Sequence, residues 1–472
     1  MPMIKRFIKG DHPQEECGVF GVINVHNVSE VMYYGLHALQ HRGQEGAGIV
    51  TYHDDDFYST KGQGLVTEVF NEDIISKLIG TQAIGHVRYS TSGGSRIENI
   101  QPFLFRHGSG DFALCHNGNL VNSKELKISL EREGSIFQTT SDTEIFAHLI
   151  KKDDQKDRIE AIKRALNKID GAFAFLALTK DKLYIMRDKN SLRPLSLGKL
   201  NNGYVVSSET CAIDIVGATF VRDILPGEIL TIDRNNHMTQ DFYAEKTYNN
   251  MCAMEYIYFS RPDSVLEGVN VHASRKEAGR ILAKEAFVDA DIVVGVPDSS
   301  ISASIGYSEE SKIPNEMGLI KNKYVGRTFI RPSQAMREKG VKMKLAPLKS
   351  IVNDKRVVLV DDSIVRGTTS KKIIALLKEA GAKEVHMRVA SPPITHPCFY
   401  GVDTSTYEEL IAAKKTQEDL QEHIGADSLH FLSLTGLHQA VSKEKMCVSC
   451  FTGKYPTYLY QDIEDANKSK KF

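Results

Sequence analysis

No apolar run in these 472 residues approaches the roughly 20 residues that a membrane-spanning helix needs. The opening MPMIKRFIKGDHPQEE is basic but lacks the apolar core of roughly 7–15 residues that a secretory signal carries. Net charge is nearly absent: 59 Lys and Arg stand against 60 Asp and Glu, a balance of -1, with no basic patch in the linear sequence. That argues against a protein that grips nucleic acid through its phosphates. Cysteine is sparse and odd in number. Seven in a long chain without a secretory signal argue against a disulfide framework and for a reducing compartment, the cytoplasm. Any work they do is then catalytic or metal-binding. Internal repeats and low-complexity tracts are missing as well.

What is present points to two or three domains, because the chain is too long for one core. The most informative stretch is 357–369, VVLVDDSIVRGTT. Its apolar start reads as a buried strand of a parallel sheet, with Asp361 and Asp362 at the carboxyl end. A loop of small hydroxyl residues and one glycine follows, then a helix with Ile373, Ile374, Leu376, Leu377 and Ala380 on its apolar face and Gly381 at its C-cap. A second strand over 385–389 completes a βαβ unit. Ligands of such sheets bind beyond the strands' carboxyl ends. N–H groups and Thr hydroxyls at a helix N-terminus suit a phosphate, and paired carboxylates suit hydroxyls or Mg²⁺. Taken alone, the pattern has a blander reading as a connecting loop with two solvated acids.

In chain order, 17–25 reads as a strand that starts abruptly after the polar leader, and 30–40 as a helix. HRGQEGAGIV follows, with three glycines in six residues bringing backbones close. Strands are expected over 83–89 and 112–115, the second ending in HNGN, where Asn-Gly is also a strong hairpin signal. Helices are expected over 141–151 and 158–169, then a strand pair in GAFAFLAL and KLYIMRD. Longer strand–helix alternation begins near residue 251. The polar, Asn-rich run before it reads as a boundary, with 236–250 as linker.

EECGVFGV, LQHRGQEGAGI, GHVRYSTSG, HNGNLVN and TTSDTE resemble, in this order, the glutamine amidotransferases with an N-terminal-nucleophile fold. The resemblance spans 17–235 and implies an α+β domain of layered αββα type. It implies that 1–16 is a cleaved leader and Cys17 the nucleophile. Once freed, the Cys17 α-amino group has a reference pKa of about 7.7–8.0 and can act as general base, which an amide nitrogen cannot. Attack on the glutamine carboxamide gives a γ-glutamyl thioester and ammonia. The family's oxyanion donors fall on the Asn117 side chain and the Gly118 N–H, each typically worth about 10²–10³ in rate. Arg88 would grip the substrate α-carboxylate bidentately and Asp142 its α-ammonium.

VVLVDDSIVRGTT is similar to the phosphoribosyl-pyrophosphate (PRPP) signature of the phosphoribosyltransferases. It implies an α/β domain with a mostly parallel sheet over 251–472. The acids Asp361 and Asp362 would hold ribose hydroxyls or metal, and Ser363, Gly367, Thr368 and Thr369 belong to the 5′-phosphate loop. PDSS after the strand 292–296 resembles the pyrophosphate loop and puts Ser299 with the two acids near Mg²⁺. The Lys- and Arg-rich stretch KNKYVGRTFIRPSQAMREKGVKMK resembles the loop that closes over PRPP. Arg327, Lys344 and Arg366 are the phosphate-side candidates.

Cys252, Cys398, Cys447 and Cys450 come from three segments, and by ligand count suit zinc or a [4Fe-4S] cluster equally well. CVSC alone is also compatible with a redox pair. MEYIYFSRPDS, HPCFYGVDTS and CFTGKYPT resemble the leader-processed, iron–sulfur branch of the amidophosphoribosyltransferases, which implies the cluster in a structural role. Cys115 and Cys211 are left as buried thiols. The resemblance further implies glutamine and PRPP as substrates, purine nucleotides as feedback inhibitors and a homo-oligomer, a tetramer, with neither nucleic acid nor membrane as partner. A non-catalytic PRPP sensor would need no Cys17, Arg88 or Asp142. A glutaminase serving another acceptor, such as a sugar phosphate, would need no PRPP loop.

Overall fold

The computed structural model describes residues 17–89, 96–108, 110–152, 157–322, 345–402, 404 and 406–457. Among them no helix is long and apolar enough to cross a membrane. The first half is built on β1 Gly18–Ile23, β2 Gly46–His53, β3 Asp56–Gln63, β4 Gln82–Arg88, β5 Phe103–Phe105, β6 Phe112–Leu120, β7 Gly171–Leu178, β8 Lys182–Arg187, β9 Ser196–Leu200, β10 Gly203–Ser207, β11 Thr219–Asp223, β12 Glu228–Asp233 and β13 Met238–Phe242. These form two antiparallel sheets, in the orders β11-β9-β10-β1-β4-β2-β3 and β13-β12-β8-β7-β6-β5.

Strand alternation explains the layering. Val19 and Ile23 of β1 join Ala113, Cys115, Ala174 and Leu176 in a core between the two sheets. Phe20 and Val22, one residue out of phase, pack outward against Met32 and Leu36 of the helix Val28–Ala38. On the far side Phe173 and Phe175 meet Phe146 and Leu166 of the helices Thr143–Lys152 and Arg158–Lys168. The result is the expected αββα stack.

Two details depart from the sequence reading. β6 does not end before HNGN but runs through it to Leu120, so Asn117-Gly118 is no hairpin turn. It pairs residue by residue with β7, with Asn117 opposite Ala174 and Gly118 opposite Phe173. The cross-strand ladder therefore overrides a strong local turn preference. Residues 236–250 are also not simply a linker. The Asp233 carboxylate accepts the N–H groups of Asn235 and His237 at 2.8 and 2.9 Å, and Asn236 takes a φ of 61°. The Asn-rich run is thus a hairpin turn, and β13 forms the edge of the second sheet.

In the second half, β14 Val265–Leu266 and β15 Val269–Asn270 make a small ribbon, as do β17 Leu319–Lys321 and β18 Leu345–Pro347. The main sheet is parallel throughout, in the order of β16 Ile292–Gly295, β19 Arg356–Asp361, β20 Glu384–Val389 and β21 Ser428–Phe431. β19 shows why its sequence is continuously apolar. Val358 and Val360 pack with Leu282 and Tyr307 on one face, and Val357 and Leu359 with Ile373 and Leu377 on the other.

The helix Ile301–Ser311 starts just after the PDSS loop, and a glycine contact sets its position. A Cβ at Gly279, in the helix Val271–Glu285, would lie 1.9 Å from the Ala303 carbonyl oxygen; one at Gly306 would lie 1.8 Å from that of Lys276. The helices therefore touch backbone to backbone. Gly279→Ala should push them apart and cost about 1–3 kcal/mol, the usual penalty for overpacking. A urea midpoint equal to that of the native chain would refute this packing.

Candidate active sites

Cys17 stands at the start of β1, beside β4. Its thiol donates to the Tyr89 carbonyl at 3.4 Å, and the Tyr89 N–H approaches the sulfur at 3.5 Å. The pairing of Gly18 with Val87 brings Arg88 alongside. Arg88 is buried, and burial pulls its pKa below the ordinary arginine value, against the opposing pull of Cys17 and Glu45. On the facing sheet, the Asn117 amide donates to Ser208 Oγ at 3.4 Å, and Ser208 Oγ accepts from the Val19 N–H at 3.0 Å. One hydroxyl thus links the HNGN strand to β1 two residues from Cys17. Asn117 Oδ1 has no hydrogen-bond partner among the described residues.

Gly118 has a φ of 142°, and a Cβ there would sit 2.0 Å from the Ala172 carbonyl oxygen, so no other residue fits. Asp142 Oδ2 accepts from the Leu120 N–H at 2.8 Å, and Oδ1 lies 3.6 Å from His116 Nδ1. Burial opposes its charge, but His116 and the backbone N–H groups of Leu120 and Thr143 outweigh that and hold it below the usual carboxylate range. Cys17 and Arg88 thus come from neighbouring strand ends, Asn117 and Gly118 from within β6, and Asp142 from a helix start, with Ser208 tying Asn117 to β1. A thiol, amide donors, a buried cation and a carboxylate can together bind an amino acid and open its carboxamide.

Sequence reasoning missed Arg42. It is 1% exposed, and its Nε donates to the Cys17 carbonyl at 3.1 Å. A basic residue two positions after an expected helix, in a glycine-rich run, gave no sign of burial. His116, stacked on Phe175, was legible only as part of HNGN.

The second site lies where β16 and β19 end. Their register pairs Gly295 with Val360, which sets PDSS against the acids. Ser299 Oγ donates to Asp362 Oδ2 at 2.5 Å, and Ser300 Oγ to Asp361 Oδ1 at 3.0 Å. Ser363 Oγ donates to Asp362 Oδ1 at 2.7 Å. Asp361 and Asp362 are 0% and 2% exposed, so they are not solvated loop acids. Gly367, in the left-handed conformation, caps the helix Thr368–Glu379, so Thr368 and Thr369 open its first turn. Ile364 and Val365 are buried and anchor the loop between. Arg366, expected on the phosphate side, places its guanidinium 3.0 Å from Glu409. Arg327 and Lys344 lie outside the described residues. Among the described residues no group of three or more His, Cys, Asp or Glu side chains gathers closely enough for a metal ion. Here Asp361, Asp362 and Ser299 supply two carboxylates and one hydroxyl, hard oxygens of the kind Mg²⁺ takes.

The four remaining cysteines line one cavity with Leu192, Arg193, Met254, Ile394 and Tyr400. Backbone bonds hold the tail in place: Ala253 N–H to the Cys447 carbonyl at 3.1 Å, Cys447 N–H to Met251 at 2.9 Å, and His396 N–H to Cys450 at 3.0 Å. Burial pushes the Cys398 thiol up to about 11, against the pull of Arg193. The Tyr400 N–H points at Cys398 Sγ from 3.4 Å. None of the four forms a disulfide. Four thiols that line one cavity beside Arg193, with an N–H aimed at one sulfur, are donors of the kind that zinc or an iron–sulfur cluster takes. Cys115 and Cys211 are buried, as expected.

The glutamine amidotransferase domain family matches residues 86–214, and the phosphoribosyl transferase domain family matches residues 270–394. The chain is 55% identical to the amidophosphoribosyltransferase of Bacillus subtilis over 455 residues, 95% of both chains. To that of Staphylococcus aureus strain Mu50 it is 51% identical, over 94% of this chain and 92% of the other. A solved structure of the B. subtilis glutamine PRPP amidotransferase complexed with ADP and GMP superimposes with a TM-score of 0.90, covering 94% of this chain and 98% of that one. Another, of the allosteric regulatory enzyme of purine biosynthesis, gives 0.91 with 94% and 97% covered. With such identity running through both halves, the chain belongs to the amidophosphoribosyltransferases.

Proposed function

We infer that two coupled half-reactions run on this chain: Cys17 releases ammonia from glutamine, and the ammonia attacks C1 of PRPP beside Asp361 and Asp362. The products are 5-phosphoribosylamine, glutamate and pyrophosphate, in the first committed step of purine nucleotide synthesis. The observation that carries this reading is that one chain holds both groups of residues, the first held together around Cys17 and Asn117 and the second around the buried Asp361 and Asp362.

At the first site, Arg88 and Asp142 would clamp the α-carboxylate and α-ammonium of glutamine, leaving its carboxamide over the Cys17 thiol. The Cys17 α-amine takes the thiol proton and returns it to the leaving ammonia. Asn117 and the Gly118 N–H would bind the oxyanion, and the tie from Asn117 to Ser208 holds that donor ready before substrate arrives. These partners argue against a non-catalytic sensor, which has no use for them. The amine requires removal of 1–16, and we propose that the Cys17 thiol, on the residue that follows the bond to be cut, makes that cut itself.

At the second site, Ser363, Gly367, Thr368 and Thr369 would hold the 5′-phosphate at the helix N-terminus. Arg327, Lys344 and Arg366 are proposed to add cationic contacts, Arg366 by leaving Glu409. Asp361, Asp362 and Ser299 would hold Mg²⁺, the remaining positions falling to substrate oxygens. The bound ion supplies charge neutralisation to the departing pyrophosphate. Cys252, Cys398, Cys447 and Cys450 would hold a [4Fe-4S] cluster, whose contribution is folding energy rather than chemistry. Purine nucleotides as feedback ligands agree with the ADP and GMP bound to the B. subtilis relative. A cytoplasmic homo-oligomer, by family resemblance a tetramer, completes the proposal.

Cys17→Ala should keep its leader and lose glutamine-dependent synthesis by at least about 10³-fold, yet retain synthesis from added ammonia. Equal loss of both activities would sink the two-site assignment. Asp362→Asn should lower both activities by about 10²-fold, since the acid serves the shared acceptor site; full ammonia-dependent turnover at saturating Mg²⁺ and PRPP would count against it. Cys450→Ser, purified anaerobically, should lack iron and accumulate poorly. Stoichiometric zinc in the native protein would replace the cluster while leaving the four ligands standing.

A further inference from the structure

Glutamate is almost never fully buried unless it is paired, and Glu255 is 0% exposed. It opens the π-helical turn Glu255–Phe259, in the segment that leads into the second half of the chain. Its carboxylate meets Arg42 bidentately, Oε1 to Nη2 at 2.7 Å and Oε2 to Nη1 at 2.9 Å. Arg42 is the residue whose Nε holds the Cys17 carbonyl. Its Nη1 also donates to Glu209 Oε1 at 2.6 Å. Glu209 is held in turn by His41, by Ser264 Oγ and by the Arg261 N–H.

The chain of bonds continues beyond Glu255. Ser260 Oγ donates to Glu255 Oε2 at 2.6 Å, and the Ser260 carbonyl accepts from Arg275 Nη2 at 2.8 Å. Arg275 Nε donates to the Tyr256 carbonyl at 2.7 Å, bracing the same turn. Arg275 lines one small cavity with Asp362, Ser299 and Ser300. Burial draws its pKa down to about 10, and Asp362 is foremost among the charges that oppose this. A path of buried polar groups, hydrogen-bonded as far as Arg275 and carried on from there to Asp362 across the small cavity that both line, therefore runs from the backbone of Cys17 towards the acids of the phosphoribosyl site. Arg42, Glu255, Ser260 and Arg275 are each at most 5% exposed.

Stability alone is a weak reason for such a path. Apolar residues of similar volume often replace a buried ion network at no cost, and the best-attested use of such networks is to fix register. We propose that Glu255 is a positioning residue that couples the two sites. Anionic substrate beside Asp362 draws on Arg275, the turn 255–260 responds, and the bidentate pair passes the shift to Arg42 and so to Cys17. This rests on the assignment of the two sites made above.

The test is glutamine hydrolysis by the full-length protein with and without saturating PRPP, alongside synthesis from added ammonia. Native protein whose hydrolysis PRPP does not stimulate would refute the two-site assignment itself. Ser260→Ala removes the joint between Glu255 and the Arg275 loop without altering a charge. Basal hydrolysis and ammonia-dependent synthesis should persist, while stimulation by PRPP falls at least about fivefold, the lower range for coupled sites. Ser260→Thr should restore it. Full native stimulation in Ser260→Ala would overturn the proposal, as would a parallel loss of all three readouts. If that variant folds poorly, Glu255→Asp reads the same coupling, since it keeps the charge and shortens its reach; native stimulation there would equally overturn it.

Discussion

A single guanidinium, that of Arg42, is the tie on which the rest of this architecture depends. Four of its hydrogen bonds reach three parts of the chain: the backbone of Cys17, Glu209 at the end of β10, and Glu255 in the turn beyond the two-sheet stack. Removing one partner from such a group strands a buried charge, typically at about 3–5 kcal/mol. The first and second halves are therefore joined by a contact that cannot be half made. Arg193 extends the join, since it lies 3.7 Å from Glu255 and faces the cysteine cavity.

The two chemistries sit where two different sheet types leave backbone accessible. In the antiparallel pair, the groups proposed as catalytic gather at strand ends and at a strand position with positive φ, Gly118, where a side chain would meet the Ala172 carbonyl. In the parallel sheet, helices cover both faces of β19, so polar groups can gather only beyond its carboxyl end. The Asp361–Asp362 pair is held there by hydroxyls of the neighbouring loop.

Much of this was legible in the sequence, for physical reasons. The apolar run of β19 is readable because burial on both faces permits nothing else, and the nearby acids and threonines stand out against it. The core alternation of β1 and β7 is readable for the matching reason on antiparallel sheets. HNGN was misread as the close of a strand because Asn-Gly favours a turn locally, while eight residues of pairing to β7 decide otherwise. The supposed linker was misread because a hairpin turn and a domain boundary use the same polar residues. Arg42 and Glu255 lie inside motifs that carry the family resemblance, but nothing there marked either charge as buried, and Arg275 carried no signal at all. A buried charge looks like a surface charge until the partner, more than 200 residues away in the case of Arg42 and Glu255, is in place.

The wall of the cysteine cavity has a consequence for how the protein is made. Leu192 and Arg193 belong to the first half, Cys252 to the seam, and Cys447 and Cys450 to a tail synthesised some two hundred residues later. The tail reaches back by backbone bonds to Met251 and Ala253. Until those late residues emerge from the ribosome, the earlier surfaces stay open and the seam beside Glu255 lacks one of its walls. The wall of the cavity is therefore complete only in a chain that has been translated through Cys447 and Cys450.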